Sequence, residues 1–118
     1  MDDALLSATK FYAVRPGSQI FLAIEVGDLQ AGGTSLQLNG RPIPADPAGE
    51  SAIGAPGQDL RRSVLQVVTT VKDMNPLTNR TSVTHHFRGG EADQVFPYAI
   101  SVTADKGTAQ YFITYVLL

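Results

Sequence analysis

Two stretches in the second half of the chain alternate polar and apolar residues with a period of two. Successive side chains of a β-strand point to opposite faces of a sheet, so this alternation is typical of a strand with one buried face. The stretches cover 65–72 and 80–87, on either side of a turn signal at Asn75-Pro76-Leu77. The apolar parity holds Leu65, Val67, Val71, Val83, His85 and Phe87.

The same pattern predicts how these two strands would pair as a hairpin. A shift of one residue would turn the apolar side chains toward solvent, so the register follows from the pattern. The opposite face carries mainly hydroxyl and charged side chains, and we expect it to be wet. The predicted register pairs Leu65 with Phe87, Val67 with His85, Thr69 with Val83, and Val71 with Thr81.

Size and composition indicate one folded domain over residues 1–118. Hydrophobic residues make up 43% of the 118 residues and charged residues 17%, a balance that argues against disorder. The 9 Lys and Arg and 11 Asp and Glu are spread along the chain. Electrostatic binding of nucleic acid needs clustered basic residues, so we expect no nucleic-acid partner. The absence of cysteine excludes disulfides, thiolate metal sites and a cysteine nucleophile.

Membrane and export signals are also missing from the sequence. No apolar run reaches the roughly 18 residues that a membrane-spanning helix needs. Met1-Asp2-Asp3 begins acidic, whereas a secretory signal begins with basic residues. We therefore expect no membrane span and favour a cytoplasmic location.

Several turn and strand signals lie in the first half of the chain. Arg15-Pro16-Gly17 predicts a turn, and a strand apolar on both parities follows over 20–26. Asn39-Gly40 suits the type I′ turn of a two-residue hairpin. The return arm at 41–44 contains two prolines, which donate no N–H to a ladder, so we expect it at a sheet edge.

Other segments of the chain give weaker signals. Asp2 is suited to cap a short helix over 4–6, and 59–62 has room for one helical turn. The stretch 45–58 is rich in proline and glycine and has little periodicity, so it predicts a long surface loop. Long loops in compact domains are often functional, which makes 45–58 the candidate ligand-binding segment.

The chain ends in a predicted hairpin between 96–103 and 108–118, around Asp105-Lys106-Gly107. A three-residue turn would pair Ile100 with Phe112, and a two-residue turn would pair Ile100 with Ile113. Because the last strand is apolar on both parities, it is either central in a packed sheet or covered by a partner. The candidate interface residues are Tyr111, Phe112, Ile113, Tyr115, Val116 and Leu118.

These signals together predict an all-β fold. The count is about seven strands, typical of an antiparallel two-sheet sandwich, with a small β-barrel as the alternative and room for one short helix. The chain has neither the tryptophan nor the cysteine pair of antibody-type sandwiches.

The residues that could carry chemistry form no recognisable site. His85 and His86 are consecutive on a strand and point to opposite faces, so they cannot share a metal ion without a β-bulge. We expect His85 in the core and His86 at the surface. The carboxylates at 46, 50, 59, 91 and 93 match no complete calcium loop, and no Gly-x-Ser-x-Gly elbow occurs. We therefore predict no catalytic, cofactor-binding or metal-binding residues and no cofactor.

The arginines allow two interpretations. The favoured one is solvated charges at strand ends with a weak ion pair or two. In the other interpretation the arginines lie together at one end of the central hairpin, where they would bind an anionic ligand. The residues concerned are Arg61, Arg62, Arg80 and Arg88.

Three functions of different classes are considered, and the least favoured is an enzyme, because two histidines on opposite faces and scattered carboxylates supply no visible acid and base pair. The favoured one is a non-enzymatic interaction or assembly domain whose last strand is covered by a second copy or a protein partner. The alternative is a carbohydrate-type binding module that uses 45–58 and exposed tyrosines, since tyrosine is favoured at sugar sites and interfaces. The tyrosines are Tyr12, Tyr98, Tyr111 and Tyr115.

Overall fold

The computed structural model of the protein describes residues 4–27, 30–46, 49–74, 78–102 and 107–118. They form nine strands in two sheets and no helix, so no helix in these ranges could cross a membrane. The strands are β1 (Ala4–Tyr12), β2 (Ile20–Val26), β3 (Gln30–Leu38), β4 (Arg41–Ile43), β5 (Glu50–Ile53), β6 (Val64–Asp73), β7 (Arg80–Arg88), β8 (Gln94–Ser101) and β9 (Thr108–Leu117).

The two sheets pack face to face and confirm the predicted two-sheet sandwich. The five-stranded sheet has the order β1-β9-β6-β3-β4, and the four-stranded sheet has the order β5-β2-β7-β8. The pairings are antiparallel except that of β1 with β9, which is parallel. The five-stranded sheet is therefore mixed, and strands from the two ends of the chain lie side by side in it.

The predicted hairpin between 65–72 and 80–87 is wrong. β6 pairs with β3 and β9, whereas β7 pairs with β2 and β8 in the other sheet. Leu65 lies beside Leu38 and Tyr115, and Phe87 lies beside Leu22 and Gln94. The alternation itself is confirmed, because the apolar parity of both strands is buried. Two strands that face each other from different sheets bury every second residue, as do two neighbouring strands of one sheet. The alternation therefore does not distinguish a hairpin from strands in different sheets.

The predicted C-terminal hairpin is wrong for the same reason. β8 pairs with β7 in the four-stranded sheet, and β9 lies between β1 and β6 in the other. Neither register of Ile100 with Phe112 or Ile113 occurs, because Ile100 lies beside Thr81. The signals at 75–77 and 105–106 lie outside the described residues. Of the two alternatives for the last strand, the central position is the one observed.

Two turn predictions are confirmed. The amide of Ser18 donates to the carbonyl of Arg15 at 3.2 Å, which closes the first turn. Asn39 and Gly40 have φ values of 51° and 80°, as a type I′ turn requires. The proline-bearing arm that follows is β4, and it lies at an edge of the five-stranded sheet.

Three local predictions need correction. The predicted loop at 45–58 contains β5, whose four residues pair with β2 and bury Ser51 and Ile53. Residues 61–62 form a turn that buries Leu60, without a helix. Residues 4–6 belong to β1 because pairing with β9 overrides a weak helix signal; Asp2 lies outside the described residues.

The core lies between the sheets and is rich in aromatic residues. Tyr12 stacks on Phe87 with ring centroids 4.6 Å apart, and the edge of Tyr115 meets Phe87 at the same distance. These contacts join the two sheets beside β1 and β8. On the other side, the sandwich ends at the short strands β4 and β5.

Candidate interaction surface

The predicted interface residues divide between the two faces of β9. Tyr111, Ile113 and Tyr115 are fully buried in the core of a single chain. Phe112 and Val116 lie on the outer face, and the neighbouring Leu118 is exposed at the chain end. Strand alternation separates them, so a surface that uses β9 is limited to the outer-face residues.

The outer face of the five-stranded sheet carries apolar side chains on three neighbouring strands. Phe11 lies beside Val116, and Val116 lies beside Val64. Beyond the polar row of Thr9, Thr114 and Gln66, Phe112 lies beside Val68 on the same face. We call this set the outer strip: Phe11, Val64, Val68, Phe112 and Val116.

The outer strip coincides with a concentration of exposed large apolar side chains. Four of the six such residues among those described lie on β1 or β9 or directly after β9. Exposed apolar residues concentrated on one part of a surface mark interaction sites more often than singly scattered ones do. The four residues are Leu5 (65% exposed), Phe11 (60%), Phe112 (43%) and Leu118 (55%).

β1 is a long sheet edge whose only protection of the usual kind against pairing is one lysine. Of the edge strands in the described chain, β4 has three residues and contains Pro42, β5 has four, and β8 contains Pro97. β1 has nine residues, no proline and one charged side chain, Lys10. Native proteins shorten, charge or interrupt their edges because unpaired backbone groups invite another strand.

Hydrogen bonds at the end of β1 show which backbone groups face the open edge. The amide of Leu118 donates to the carbonyl of Tyr12 at 2.9 Å, and the amide of Val14 donates to the carbonyl of Leu118 at 2.8 Å. The carbonyl of Ala13 points the other way and accepts from the amide of Glu91 at 3.1 Å. In a strand, N–H and C=O groups of alternate residues face alternate sides. The odd-numbered residues 5, 7, 9 and 11 therefore present their backbone groups to the open edge.

A polar network in the core links the two sheets. The Tyr115 hydroxyl lies 2.6 Å from His85 Nδ1 and 2.9 Å from the Tyr98 hydroxyl. Near it, the Tyr111 hydroxyl lies 2.6 Å from Thr81 Oγ1 and accepts the amide of Ile100 at 3.2 Å. Buried hydroxyls are satisfied in this way across the sandwich, which fixes how one sheet sits on the other.

The two histidines have the separate environments that the sequence predicts. His85 is fully buried, and burial, with a smaller effect of His86, lowers its pKa to about 4. Burial also raises the pKa of Tyr115 above its ordinary value. His86 faces outward, 3.3 Å from Glu25. Among the described residues, no group of three or more His, Asp or Glu side chains could hold a metal ion.

The arginines do not gather at one end of the molecule. Arg80 and Arg88 begin and end β7, roughly 27 Å apart at the usual strand rise. Arg88 pairs with Glu50 at 2.8 Å and lies over the ring of Phe21, and Arg61 pairs with Asp59 at 2.6 Å. Hydrogen bonds from Arg61 lower the pKa of the Asp59 carboxyl to about 2. The predicted cluster of four arginines for an anionic ligand is therefore wrong, and Arg61 and Arg88 form local ion pairs.

An open cleft of about 660 Å³ lies where the sandwich ends at β4 and β5, and part of its wall comes from the predicted 45–58 segment. On its wall, the side-chain oxygens of Asn39 and Gln58 already accept hydrogen bonds from the backbone amides of Val64 and Ala55. Arg41 adds a guanidinium. The described lining contains no aromatic ring, and the four tyrosines named above are buried in the core.

The fold and this surface define a mixed two-sheet β-sandwich with one long edge strand that carries a single charged residue. No protein-family model, curated protein or solved structure matches the chain.

Proposed function

We propose that this protein is a non-enzymatic assembly domain that associates through β1 and the outer strip. The observation that carries the proposal is the position of the outer strip directly beside the long edge strand β1, which has no proline and one charged residue. Backbone pairing at the edge and burial of Phe11, which lies on β1 itself, would act together in one contact.

The chemistry of the described side chains supports a non-enzymatic role. His85 is enclosed by Tyr98 and Tyr115 and does not line the cleft at β4 and β5. General acid–base catalysis needs a titratable group within reach of substrate. Asp59 and Glu50 are both engaged by arginines.

Light scattering coupled to size-exclusion chromatography tests the proposal. We expect the wild-type protein to exceed its monomer mass of 12.6 kDa at micromolar concentration. Phe11→Ser, at an exposed position of β1 itself, should move the association to at least about tenfold higher concentration, since a buried phenyl ring contributes more than the energy of a tenfold change. A wild-type protein that stays monomeric over the whole concentration range would refute the proposal.

Val95→Ser is the matched control for this experiment. Val95 is also an exposed apolar strand residue, but it lies on β8 and faces outward from the four-stranded sheet. Its substitution should leave the association unchanged. Equal weakening by both variants would show that the outer strip is not the contact.

A ligand-binding module remains a second candidate function, favoured by the cleft at β4 and β5. Because its described wall has no ring for sugar stacking, the chemistry it offers is the guanidinium of Arg41, which suits a carboxylate. An acidic sugar fits this better than a neutral one. We expect uronic acids, and not neutral sugars, to raise the melting temperature, and Arg41→Ala to abolish the effect. No shift with either class would exclude this candidate.

A further inference from the structure

We propose that β1 pairs antiparallel with β1 of a second copy, about a two-fold axis at Ala8. The inference rests on the proposed assembly function and names both the partner and the register. The pairing would join the two five-stranded sheets into one continuous sheet. Such a contact is isologous, so it closes as a dimer.

The outer face of β1 has a side-chain pattern that reads the same in both directions. Leu5 and Phe11 are its large apolar ends, and Ser7 and Thr9 are its small hydroxyl-bearing centre. With the axis at Ala8, Leu5 lies opposite Phe11 of the second copy, and Ser7 lies opposite Thr9. At every outer position an apolar side chain lies opposite an apolar one and a hydroxyl-bearing side chain lies opposite another, and such cross-strand pairs are stabilising. A shift by two residues would instead set Leu5 opposite Thr9, or Phe11 opposite Ser7.

The backbone directions agree with this register. Residues 5, 7, 9 and 11 face the open edge, and the register sets them opposite one another as hydrogen-bonded pairs. Each such pair exchanges two bonds, which gives about eight bonds between the copies. The carbonyl of Ala13 is already held by Glu91, so the free edge ends before it. The centre of the free stretch from 5 to 11 is Ala8.

Charge favours the antiparallel arrangement over a parallel one. Lys10 is the only charged residue of β1. The two-fold register sets it opposite Leu6 of the second copy and keeps the two lysines roughly 14 Å apart along the strands, beyond the screening length at physiological salt. Parallel in-register pairing would place the two ammonium groups side by side, where like charges repel.

The register also extends the outer strip across the contact. Phe11 lies beside Val116 within its own chain and would lie beside Leu5 of the second copy. The apolar row that begins at Val64 would therefore continue into the partner. The two-fold axis repeats this row in the other copy, so each Phe11 packs against the Leu5 of the second copy.

Single-cysteine crosslinking tests the axis directly, because the chain has no cysteine of its own. At a non-hydrogen-bonded antiparallel pair the Cα atoms are about 4.5 Å apart, within the range that a disulfide spans. We expect Ala8→Cys to form a covalent dimer under mild oxidation at least about tenfold faster than Leu5→Cys, whose copies would stand roughly 20 Å apart. Ser35→Cys, exposed on β3, measures random collision.

A second measurement does not depend on substitution at the half-buried Ala8. A mixture of Leu5→Cys and Phe11→Cys proteins should give a mixed disulfide that neither protein forms alone, because only the mixture brings the two cysteines opposite each other. Mass spectrometry of the linked peptides identifies the pair. Both positions are exposed, so folding should be retained.

The outcomes separate this inference from the assembly function. Fast crosslinking of the Ala8→Cys variant, together with formation of the mixed disulfide, supports both the two-fold register and the assembly function. An oligomer whose Ala8→Cys variant crosslinks no faster than Ser35→Cys overturns the two-fold register and leaves assembly to another contact. A protein that is monomeric by light scattering overturns the assembly function and the register with it.

Discussion

At the scale of single residues, His85 determines how the core responds to pH. Its ring lies between Tyr98 and Tyr115, both neutral, and its pKa is lowered to about 4 mainly by burial. An unfolded histidine titrates near 6.5. Because the folded pKa is the lower one, the unfolded state binds the proton first. The stabilising contribution is therefore complete above pH 6.5 and is lost as pH falls toward 4.

Wild-type protein should lose about 2 kcal/mol of unfolding free energy between pH 8 and pH 5 through this histidine. Denaturation by urea at the two pH values measures the loss. His85→Phe should remove most of this difference in unfolding free energy between the two pH values. His86→Gln should keep it, because His86 is partly exposed. A wild-type protein equally stable at both pH values would contradict the role of His85.

The sequence predicts the environment of His85 but not its partners. Strand parity alone separates His85 from His86, and the structure agrees. The hydroxyl that contacts His85 comes from β9, in the opposite sheet. A predicted register within one sheet cannot reveal that contact, because it arises from packing between the sheets.

At the scale of elements, the turn after β7 requires a glycine at position 89. Gly89 has a φ of +97°, and a Cβ at this position would meet the carbonyl oxygen and carbon of Gln19. Gly33 on β3 has no neighbouring atom within 4 Å of an added Cβ. The two glycines therefore differ in what an alanine would cost.

Gly89→Ala should lower the unfolding free energy by about 3 kcal/mol or more, since it adds left-handed strain to a backbone clash. Gly33→Ala should change it by less than about 1 kcal/mol. Thermal and urea denaturation of both variants measure the difference. Similar stabilities of the two would show that the Gly89 turn is not tightly held.

The open edge of β1 gives a second prediction at this scale. Thr9→Lys adds a charge at the centre of the proposed contact, as natural edge strands do to prevent pairing. Association should weaken at least about tenfold in sedimentation experiments, with the melting temperature of the monomer unchanged. Ser35→Lys, the same kind of change on exposed β3, should have no effect. An unchanged dissociation constant for Thr9→Lys would exclude β1 from the contact.

The sequence predicts the buried parity of the long strands well and the short elements poorly. β6 and β7 alternate over nine or ten residues, which gives a clear signal. β5 has four residues between glycine-rich and proline-rich neighbours. Its strand conformation comes from pairing with β2, and such a short sequence gives no periodic signal of its own.

At the scale of the whole molecule, the sequence predicts the two-sheet sandwich but not the neighbours of each strand. Two of the three predicted hairpins fail because β6 and β7, and likewise β8 and β9, lie in different sheets. The parallel pairing of β1 with β9 joins the first and last strands, a contact that no local signal contains. The candidate surface depends on that pairing, since it places Phe11 of β1 beside Val116 of β9.

Amide hydrogen exchange, followed by NMR at two protein concentrations, tests the assembly through β1 most directly. In dilute solution the amides of residues 5, 7, 9 and 11 should exchange fast, while those of residues 6, 8 and 10, bonded to β9, are protected. At concentrations where the protein associates, the first set should become protected as well. Fast exchange of the odd-numbered amides in the associated protein would contradict the account.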